Sequence, residues 1–426
     1  MQKYSNLSKQ EITKPGYNEN LPFIDHFFVL SDTIDNLKNL HLCANKNKFR
    51  MKIKFGLLIL VLSVLSCKVS SGDKEGKRHG NSDGTSGATK IVNEIHYPQE
   101  KHLKNVKQLT FGGDNAEAYW SFDNKKITFQ ANTKEWGLEC DQIFTMNVGD
   151  DLSKGERPQL VSTGRGRTTC SYFLPGDSTI IYSSTHLGGD ACPTVPKKED
   201  HGGKYVWPVY ETFDIFVADI NGNQLQQLTN EPGYDAEPTV SPNGDKIVFT
   251  STRTGDLELF TMNIDGSDVK QITHDLGYDG GAFFSPDGTK LIFRSSRPKT
   301  EIEIKEYKDL LAEGLVMPTN MELYVCNIDG SDLQKITNLG SANWAPFFLP
   351  NGEKIIFSTN HHKKNHDSFN LFLINIDGTG LEQVTYDGIF DAFPMFSPDG
   401  KKLIFSSNRN NNGTHDTNLF VADWVN

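Results

Sequence analysis

The chain has 426 residues, of which 36% are hydrophobic and 11% aromatic, so it can bury a large core as one big domain or two ordinary ones. Its formal net charge is −11, and no basic block is longer than a few residues. A phosphate backbone is bound through clustered positive charge. Nucleic acid is therefore not expected as a partner.

An export signal begins at Met51 rather than at residue 1. The stretch "MKIKFGLLILVLSVLSC" has a short basic region, an apolar run and a small residue before Cys67. The run is too short for a comfortable membrane span but fits a cleaved signal peptide. Its last four residues, "VLSC", resemble a bacterial lipobox, in which the cysteine is acylated. We expect residues 1–50 to be a mis-assigned start or removed leader, 51–67 a lipoprotein-type signal peptide, and Cys67 the lipidation site. The alternative is an uncleaved signal anchor.

The segment after Cys67 is polar. It begins "KVSSGDKEGKRHGNSDGTSGATK" and is rich in glycine, serine and charge, so it cannot bury a core. We expect residues 68–100 to be a flexible polar tether and the folded part to cover residues 101–426. The lipid would be the sole membrane contact, which places the protein in the bacterial cell envelope, facing the periplasm or on the surface.

One turn motif recurs six times along the folded part. Each copy follows a short apolar stretch and precedes an alternating one such as "KLIFRSS", which is the period-2 pattern of a half-buried strand. The turn therefore joins two antiparallel strands. The copies are "SFDN" at Ser121, "LPGD" at Leu174, "SPNG" at Ser241, "SPDG" at Ser285, "LPNG" at Leu349 and "SPDG" at Ser397.

A second hairpin follows further on in each copy. Examples are "ELFTMNIDGSDVKQIT" and "NLFLINIDGTGLEQVT", whose D-G pairs suit the positive backbone dihedrals of a tight turn. Each copy thus predicts a four-stranded meander. Meanders repeated at a fixed period are typical of a propeller or a solenoid.

The two ends of the repeat array decide between these architectures. The last copy ends at "NLFVADWVN" without a fourth strand, whereas "NVKQLTFGG", from Asn105, matches a fourth strand but precedes the first copy. A closed ring uses every segment, while a solenoid leaves an orphan strand and two raw edges. The sequence predicts an all-β, six-bladed β-propeller of four-stranded antiparallel blades, closed by the N-terminal strand. We expect a monomer.

The repeat "SPDGTKLIF…R…ELYVCNIDGSDLQKIT" closely resembles the WD-like propeller repeats of the TolB family, and the resemblance covers residues 105–426. It implies a periplasmic binding or scaffolding protein, or a gating domain in front of a peptidase related to prolyl oligopeptidase. The polar tether stands where TolB proteins have an N-terminal α/β domain. The resemblance therefore does not imply a literal Tol role.

Catalytic motifs are scarce. A propeller peptidase needs a G-x-S-x-G elbow, which the sequence lacks. A metal-dependent lyase, like the oligogalacturonate lyases, needs converging histidine and carboxylate ligands. The best cluster, His361, His362 and His366 in "HHKKNH", lies in a polar loop and is better interpreted as solvated surface. We favour a non-catalytic binding or scaffold module for an envelope protein, peptide or polysaccharide. The alternative is a hydrolase or lyase acting on carbohydrate or peptide in the central channel.

Three cysteines are disulfide candidates. Cys140, Cys170 and Cys192 lie in or beside loops of the first two blades, whereas Cys326 alternates in a strand and is interpreted as a buried apolar filler. We expect one pair, for instance Cys170 with Cys192, to form a disulfide while the third cysteine stays free.

The face opposite the S-P-D-G turns carries both long insertions. These are "THLGGDACPTVPKKEDHGGKYVWPVYET" in blade two and "RPKTEIEIKEYKDLLAEGLVMPTN" in blade four. The second predicts a short helix with Thr300 and Glu303 as a capping box. Because function is generally carried by loops on a rigid scaffold, we expect the binding site on this face.

Charged and aromatic residues cluster in the loops of that face. Aromatic groups such as Tyr205, Trp207, Tyr210 and Phe390 suit sugar or peptide recognition. The carboxylates would repel one another unless Arg253, Arg297 and Arg409 form repeated ion pairs with them or a hard cation such as Ca²⁺ binds. No other cofactor is expected. The ligand-binding candidates are Asp114, Glu117, Arg165, Arg167, Tyr234, Asp235, Glu237, Tyr278, Asp279, Trp344 and Asp391.

Overall fold

The computed structural model describes residues 95–363 and 368–426. Within them the chain forms six antiparallel four-stranded sheets. The first strands of neighbouring blades contact one another around a ring, so they surround the central axis. The predicted six-bladed β-propeller is confirmed. The signal peptide, Cys67 and most of the tether lie outside the described residues.

The blades follow chain order. Blade one contains β2 (Asp114–Trp120), β3 (Lys126–Asn132), β4 (Gln142–Asn147) and β5 (Gln159–Leu160); blade two contains β6 (Thr168–Phe173), β7 (Thr179–Ser184), β9 (Asp214–Asp219) and β10 (Gln224–Gln227). Blade three contains β11 (Asp235–Val240), β12 (Lys246–Ser251), β13 (Glu258–Asn263) and β14 (Lys270–Gln271); blade four contains β15 (Asp279–Phe284), β16 (Lys290–Ser295), β18 (Glu322–Asn327) and β19 (Gln334–Lys335). Blade five contains β20 (Asn343–Phe348), β21 (Lys354–Thr359), β22 (Asn370–Asn375) and β23 (Glu382–Gln383).

The last blade joins the two ends of the described chain. It contains β24 (Asp391–Phe396), β25 (Lys402–Ser407), β26 (Asn418–Trp424) and, as its outer strand, β1 (Leu103–Gln108). β1 pairs antiparallel with β26 from Leu103 opposite Trp424 to Gln108 opposite Phe420. The predicted closure by the N-terminal strand is therefore confirmed.

A buried ion-pair group fastens the segment before β1 to the same blade. Both oxygens of Glu100 accept hydrogen bonds from Arg409, at 3.0 and 3.1 Å, and Arg409 also donates to Asp391 at 3.0 Å. Glu100 is 1% exposed. Residues 95–100, which the sequence reading placed in the tether, thus contact the last blade.

An aromatic pair lies at the same position in the core of every blade. One ring comes from the second strand, and the other lies directly opposite it on the third strand. Because directly paired residues project from the same face of a sheet, the two rings pack side by side. Burying each ring contributes about 1.5–3 kcal/mol. The pairs are Phe129–Phe144, Tyr182–Phe216, Phe249–Phe260, Phe293–Tyr324, Phe357–Phe372 and Phe405–Phe420.

The two insertions meet on one face of the ring. β8 (Trp207–Pro208) from blade two pairs antiparallel with β17 (Leu315–Val316) from blade four. Helix α1 (Glu301–Ala312) precedes β17 and begins with the predicted capping box, in which Thr300 and Glu303 bond reciprocally. We call the paired strands β8 and β17 the lid. Among the described residues, no helix is long and apolar enough to cross a membrane.

We expect deletion of residues 101–110 to cause aggregation. The deletion removes β1 and leaves the whole edge of β26 unpaired, and such an edge is a template for pairing with other chains. Size-exclusion chromatography and thermal unfolding measure the effect. A monomeric deletion protein with unchanged unfolding would contradict the closure.

Candidate functional site

The first strand of every blade carries a bulge at the same position. The register of its pairing with the second strand shifts there, and the extra residue adopts a left-handed backbone. A bulge of this kind redirects one side chain without breaking the sheet. The six residues are Glu117 (φ 53°), Cys170 (φ 47°), Glu237 (φ 59°), Gly281 (φ 59°), Ala345 (φ 46°) and Phe393 (φ 54°).

All six bulge residues line one cavity on the propeller axis, with a volume of ≈ 130 Å³. Trp207, Pro208 and Val316 of the lid border its outer end. Towards the S-P-D-G turns, Tyr119 and Phe283 border it and contact each other with ring centroids 6.0 Å apart. The cavity is thus the lidded end of the central channel.

The cavity has two chemically different halves. The bulges of blades one to three supply Glu117, Cys170 and Glu237, whereas those of blades four to six supply glycine, alanine and phenylalanine. On the second half, Trp344 stacks on Phe369 with centroids 4.3 Å apart and lies 5.3 Å from Trp207. A polar wall therefore faces an aromatic one.

Arg294 departs from the repeat and lies in this cavity. Its equivalents in the other blades are small or uncharged, namely Gln130, Ser183, Thr250, Ser358 and Ser406. The guanidinium lies over the rings of Trp207 and Tyr278, 5.4 and 5.2 Å from their centroids. A Cβ on Gly281 would lie 1.8 Å from Nη1 of Arg294. Glycine at that bulge is what admits the arginine.

Glu237 is fully hydrogen-bonded. Its Oε1 accepts from Tyr278 at 3.0 Å and forms a close ion pair with Arg294. Its Oε2 accepts from Thr250 Oγ1 at 2.7 Å and from the Gly281 backbone N–H at 2.9 Å. Burial by itself lowers the pKa of Arg294, but the interactions with Glu237 and Tyr278 outweigh it. The pKa of Arg294 is therefore raised. This ion pair joins blades three and four.

Glu117 differs from Glu237 in its hydrogen bonds and in its pKa. Its Oε2 accepts hydrogen bonds from the Cys170 thiol at 3.0 Å and from the Tyr119 hydroxyl at 3.1 Å. Burial raises the pKa of Glu117, the bond from Cys170 opposes the rise, and the charge of Glu237 adds to it. Burial also raises the pKa of the Cys170 thiol well above its usual value. Burial therefore favours the protonated form of Glu117 and keeps the Cys170 thiol protonated.

The ligand-binding candidates fall into two groups. Those that line the cavity are Glu117, Arg167, Tyr234, Glu237, Tyr278 and Trp344, together with the aromatic residues Tyr205, Trp207, Tyr210 and Phe390. Those that do not line it are Asp114, Arg165, Asp235, Asp279 and Asp391. In blade one, Asn115 occupies the strand position that Asp235 has in blade three, so Asp114 lies one residue before the repeated aspartate position.

The aspartates outside the cavity form ion pairs within their own blades. Asp235 pairs with Arg253 at 2.8 Å and Asp391 with Arg409 at 3.0 Å. Asp279 binds Arg297 through two hydrogen bonds, the longer being 2.8 Å. Of the two arrangements that the sequence allowed, arginine pairing accounts for these three carboxylates.

The arginines of blade two are also paired. Arg167, 3% exposed, forms a close ion pair with Asp141. Arg165 contacts Asp190 at 3.0 Å, and both side chains are at least half exposed.

Two of the three histidines of the "HHKKNH" cluster lie in the described part of the chain. His361 and His362 contact the ring of Phe372, with centroid distances of 5.6 and 5.4 Å, whereas His366 lies outside the described residues. Over residues 95–363 and 368–426, no group of three or more histidine, cysteine or acidic side chains has a metal-binding arrangement.

One disulfide fixes the insertion of blade two. It joins Cys140 to Cys192, with Cα atoms 6.0 Å apart, while Cys170 is free. The pairing therefore differs from the Cys170–Cys192 example, because the bulge turns Cys170 into the channel. Cys326 is free and buried.

Sequence reasoning missed Arg294 and the role of the bulge. The signal for the arginine was present, since aligned second strands read "ITFQANT", "IIYSSTH", "IVFTSTR", "LIFRSSR", "IIFSTNH" and "LIFSSNR". At the fourth letter of these strands, blade four alone has a charged residue. The bulge itself has no comparable signal, because glutamate, cysteine, glycine, alanine and phenylalanine all occupy it.

Residues 205–309 and 316–415 match the family model described as the TolB beta propeller domain. The chain carries a TolB-like β-propeller. Among solved structures, a TolB from Agrobacterium tumefaciens shares 19% identity over 74% of this chain and 91% of its own, with a TM-score of 0.47. A TolB from Acinetobacter baumannii shares 18% over 71% and 64%, also with a TM-score of 0.47. An oligogalacturonate lyase from Vibrio parahaemolyticus shares 15% over 74% and 79%, with a TM-score of 0.44. No curated protein matches the sequence.

We expect Arg297→Ala to destabilise the TolB-like propeller by about 3–5 kcal/mol, because it leaves the buried charge of Asp279 without its partner. Arg165→Ala is the matched control, since an exposed pair contributes about 0–1 kcal/mol. Urea unfolding of both variants measures the difference. Equal stability of the two would contradict a structural role for the repeated ion pairs.

We expect neither EDTA nor added CaCl₂ to change the melting temperature. The carboxylates that a cation would bind are neutralised by arginines in blades three, four and six. Differential scanning fluorimetry with each additive tests this. A melting temperature that falls in EDTA and recovers with calcium would identify a cation site instead.

Proposed function

We propose that this TolB-like propeller is a non-catalytic binding or scaffold module of the bacterial cell envelope. In this proposal, the lipid on Cys67 anchors the protein and the polar tether separates the propeller from the membrane. The ligand is an envelope protein, peptide or polysaccharide, and a part of it enters the channel beneath the lid. The observation that carries the proposal is the lidded cavity, whose polar wall breaks the repeat at Arg294.

The states of the polar groups favour binding over turnover. Every oxygen of Glu237 already accepts hydrogen bonds, so this carboxylate is not poised as a general base. Burial raises the pKa of Glu117 and keeps the Cys170 thiol protonated, whereas the thiolate is the reactive form of cysteine. The hydrolase or lyase alternative would need one of these groups to be released when substrate binds.

The lid and its surroundings offer a large contact area. Trp207 and Trp344 contact each other beneath the lid, with ring centroids 5.3 Å apart, and Trp344 donates a hydrogen bond to the carbonyl of Pro318 at 2.9 Å. Rigid aromatic side chains provide much contact at a small cost in conformational entropy. A ligand that displaces part of the lid would gain this surface.

We expect Trp207→Ala to weaken capture of the partner by about tenfold or more, the usual effect of removing a buried aromatic anchor. The measurement is quantitative pull-down from the native envelope with the full-length lipidated protein, followed by mass spectrometry. Leu225→Ala is the matched control, because Leu225 is 57% exposed on the outer strand of blade two. Capture that survives Trp207→Ala but not Leu225→Ala would place the binding surface on the blade edges.

The same samples separate binding from catalysis. Ligand recovered chemically unchanged after prolonged incubation supports the binding module, whereas accumulating cleavage products would establish the hydrolase or lyase alternative. Intact-mass analysis of the membrane fraction tests the anchor. A mature chain that retains residues 1–50 and lacks acyl chains on Cys67 would contradict it.

A further inference from the structure

Arg294 has hydrogen-bonding capacity that the fold does not use. Both of its hydrogen bonds, to Glu237 and to the Tyr278 hydroxyl, come from Nη2. Its buried Nε has no partner and Nη1 makes no hydrogen bond among the described residues. An unsatisfied buried donor costs about 1–3 kcal/mol. An ion pair that served the fold alone would not need an arginine whose other donors stay unpaired at a cavity wall.

Glu117 supplies a second donor to the same wall. Both hydrogen bonds that it accepts reach Oε2. Oε1 has no partner within the described part of the chain, and it carries the proton in the protonated form that burial favours. A protonated carboxyl group donates one hydrogen bond. Arg294 and Glu117 together offer donors, while the nearby acceptor, Glu237, is saturated.

The ion pair leaves this wall with little net charge. Arg294 and Glu237 neutralise each other, and burial favours the uncharged form of Glu117. A ligand carboxylate would add a second negative charge beside Glu237, and a ligand ammonium would find no free carboxylate. Burying an uncompensated charge is costly. The wall therefore selects an uncharged ligand that presents acceptor oxygens.

The opposite wall and the available space define the rest of the ligand. Trp207 and Trp344 lie 5.3 Å apart, and Phe390 and Phe393 continue this aromatic surface. The cavity of ≈ 130 Å³ has room for on the order of ten water molecules. This space suits one or two sugar rings or a very short peptide.

We propose that the cavity binds one uncharged pyranose unit of a neutral envelope glycan. The C–H face of the ring packs on the tryptophans, and its oxygens accept hydrogen bonds from Arg294 Nη1 and Glu117 Oε1. A pyranose combines an apolar face with several acceptor oxygens in one small unit. A peptide backbone also presents acceptor oxygens, but it lacks the rigid C–H face that a pyranose ring can lay against the tryptophans. The inference rests on the proposed function and names the ligand of that site.

Isothermal titration calorimetry on the full-length protein in mild detergent tests the ligand class. The probes are glucose, galactose, mannose and N-acetylglucosamine, compared with glucuronate, galacturonate and the uncharged dipeptide leucyl-leucinamide with an acetylated N-terminus. We expect at least one neutral sugar to bind about tenfold or more tightly than either uronate. No measurable binding is expected for the dipeptide.

Paired variants test the two donors. In Arg294→Ser with Glu237→Gln, serine restores the residue of blades two, five and six and no charge is left unpaired. We expect this double variant to remain folded and to bind the sugar about tenfold more weakly. Glu117→Gln keeps a neutral side chain with a donor and should retain affinity, whereas Glu117→Ala should lose it. Ser406→Ala, at the position equivalent to Arg294 in blade six, is the control and should bind like wild type.

The pH dependence separates a donor role of Glu117 from a merely structural one. Below its raised pKa, Glu117 is neutral and donates; above it, the group ionises, loses its donor and adds charge. Arg294 and Glu237 also act on this carboxyl through their charges, and the raised pKa values of the nearby Cys170, Tyr119 and Tyr278 keep these three groups protonated. Affinity for a neutral sugar should therefore fall as pH rises through the pKa of Glu117, and Glu117→Gln should abolish that fall.

The outcomes separate this inference from the proposed function. Uronates that bind as tightly as neutral sugars, or a dipeptide that binds in their place, would overturn the inference. So would the absence of sugar binding while envelope capture still depends on Trp207, and in that case the proposed function would stand. If the protein neither binds a sugar nor captures an envelope partner, the proposed function would be overturned as well.

Discussion

The antiparallel pairing of β1 with β26 turns a row of repeated meanders into a ring, and the cavity exists only because the ring is closed. Six first strands surround one axis when the last blade is held against the first. The buried contact of Glu100 with Arg409 adds to this closure, because it joins the segment before β1 to the last blade.

Closure also explains why one bulge per blade matters. A left-handed backbone is unfavourable for residues other than glycine, yet all six first strands adopt it at the same place. The sheets hold the conformation in place, and the gain is one inward-facing position in each blade. Because six such positions converge, exchanging a single one changes the chemistry of the cavity without changing the fold. Gly281 is the clearest example, since its missing Cβ leaves the space that the guanidinium of Arg294 occupies.

The same repeat supplies both structure and recognition. At the ends of the strands, Asp235, Asp279 and Asp391 are each held by an arginine of their own blade. Towards the axis, Arg294 pairs instead with Glu237 of the neighbouring blade and lines the cavity. The lid then brings Trp207 over the guanidinium. The aspartate–arginine pairs that recur in blades three, four and six thus lie within their blades and stabilise them. The Arg294–Glu237 pair has no counterpart in the other blades and lies in the cavity.

The sequence alone determined the fold, including the closing strand, because period-2 strands and D-G turns are local patterns and an orphan strand can be counted. It also indicated the face of the site and the capping box of α1, and it named Glu117, Glu237, Tyr278 and Trp344 among the cavity residues. Only the tertiary structure separated those from Asp235, Asp279 and Asp391, because strand register decides whether a side chain faces the axis or a neighbouring strand. The pairing of Cys140 with Cys192, the lid between two distant insertions and the donors of Arg294 likewise depend on contacts between blades, which no single repeat contains.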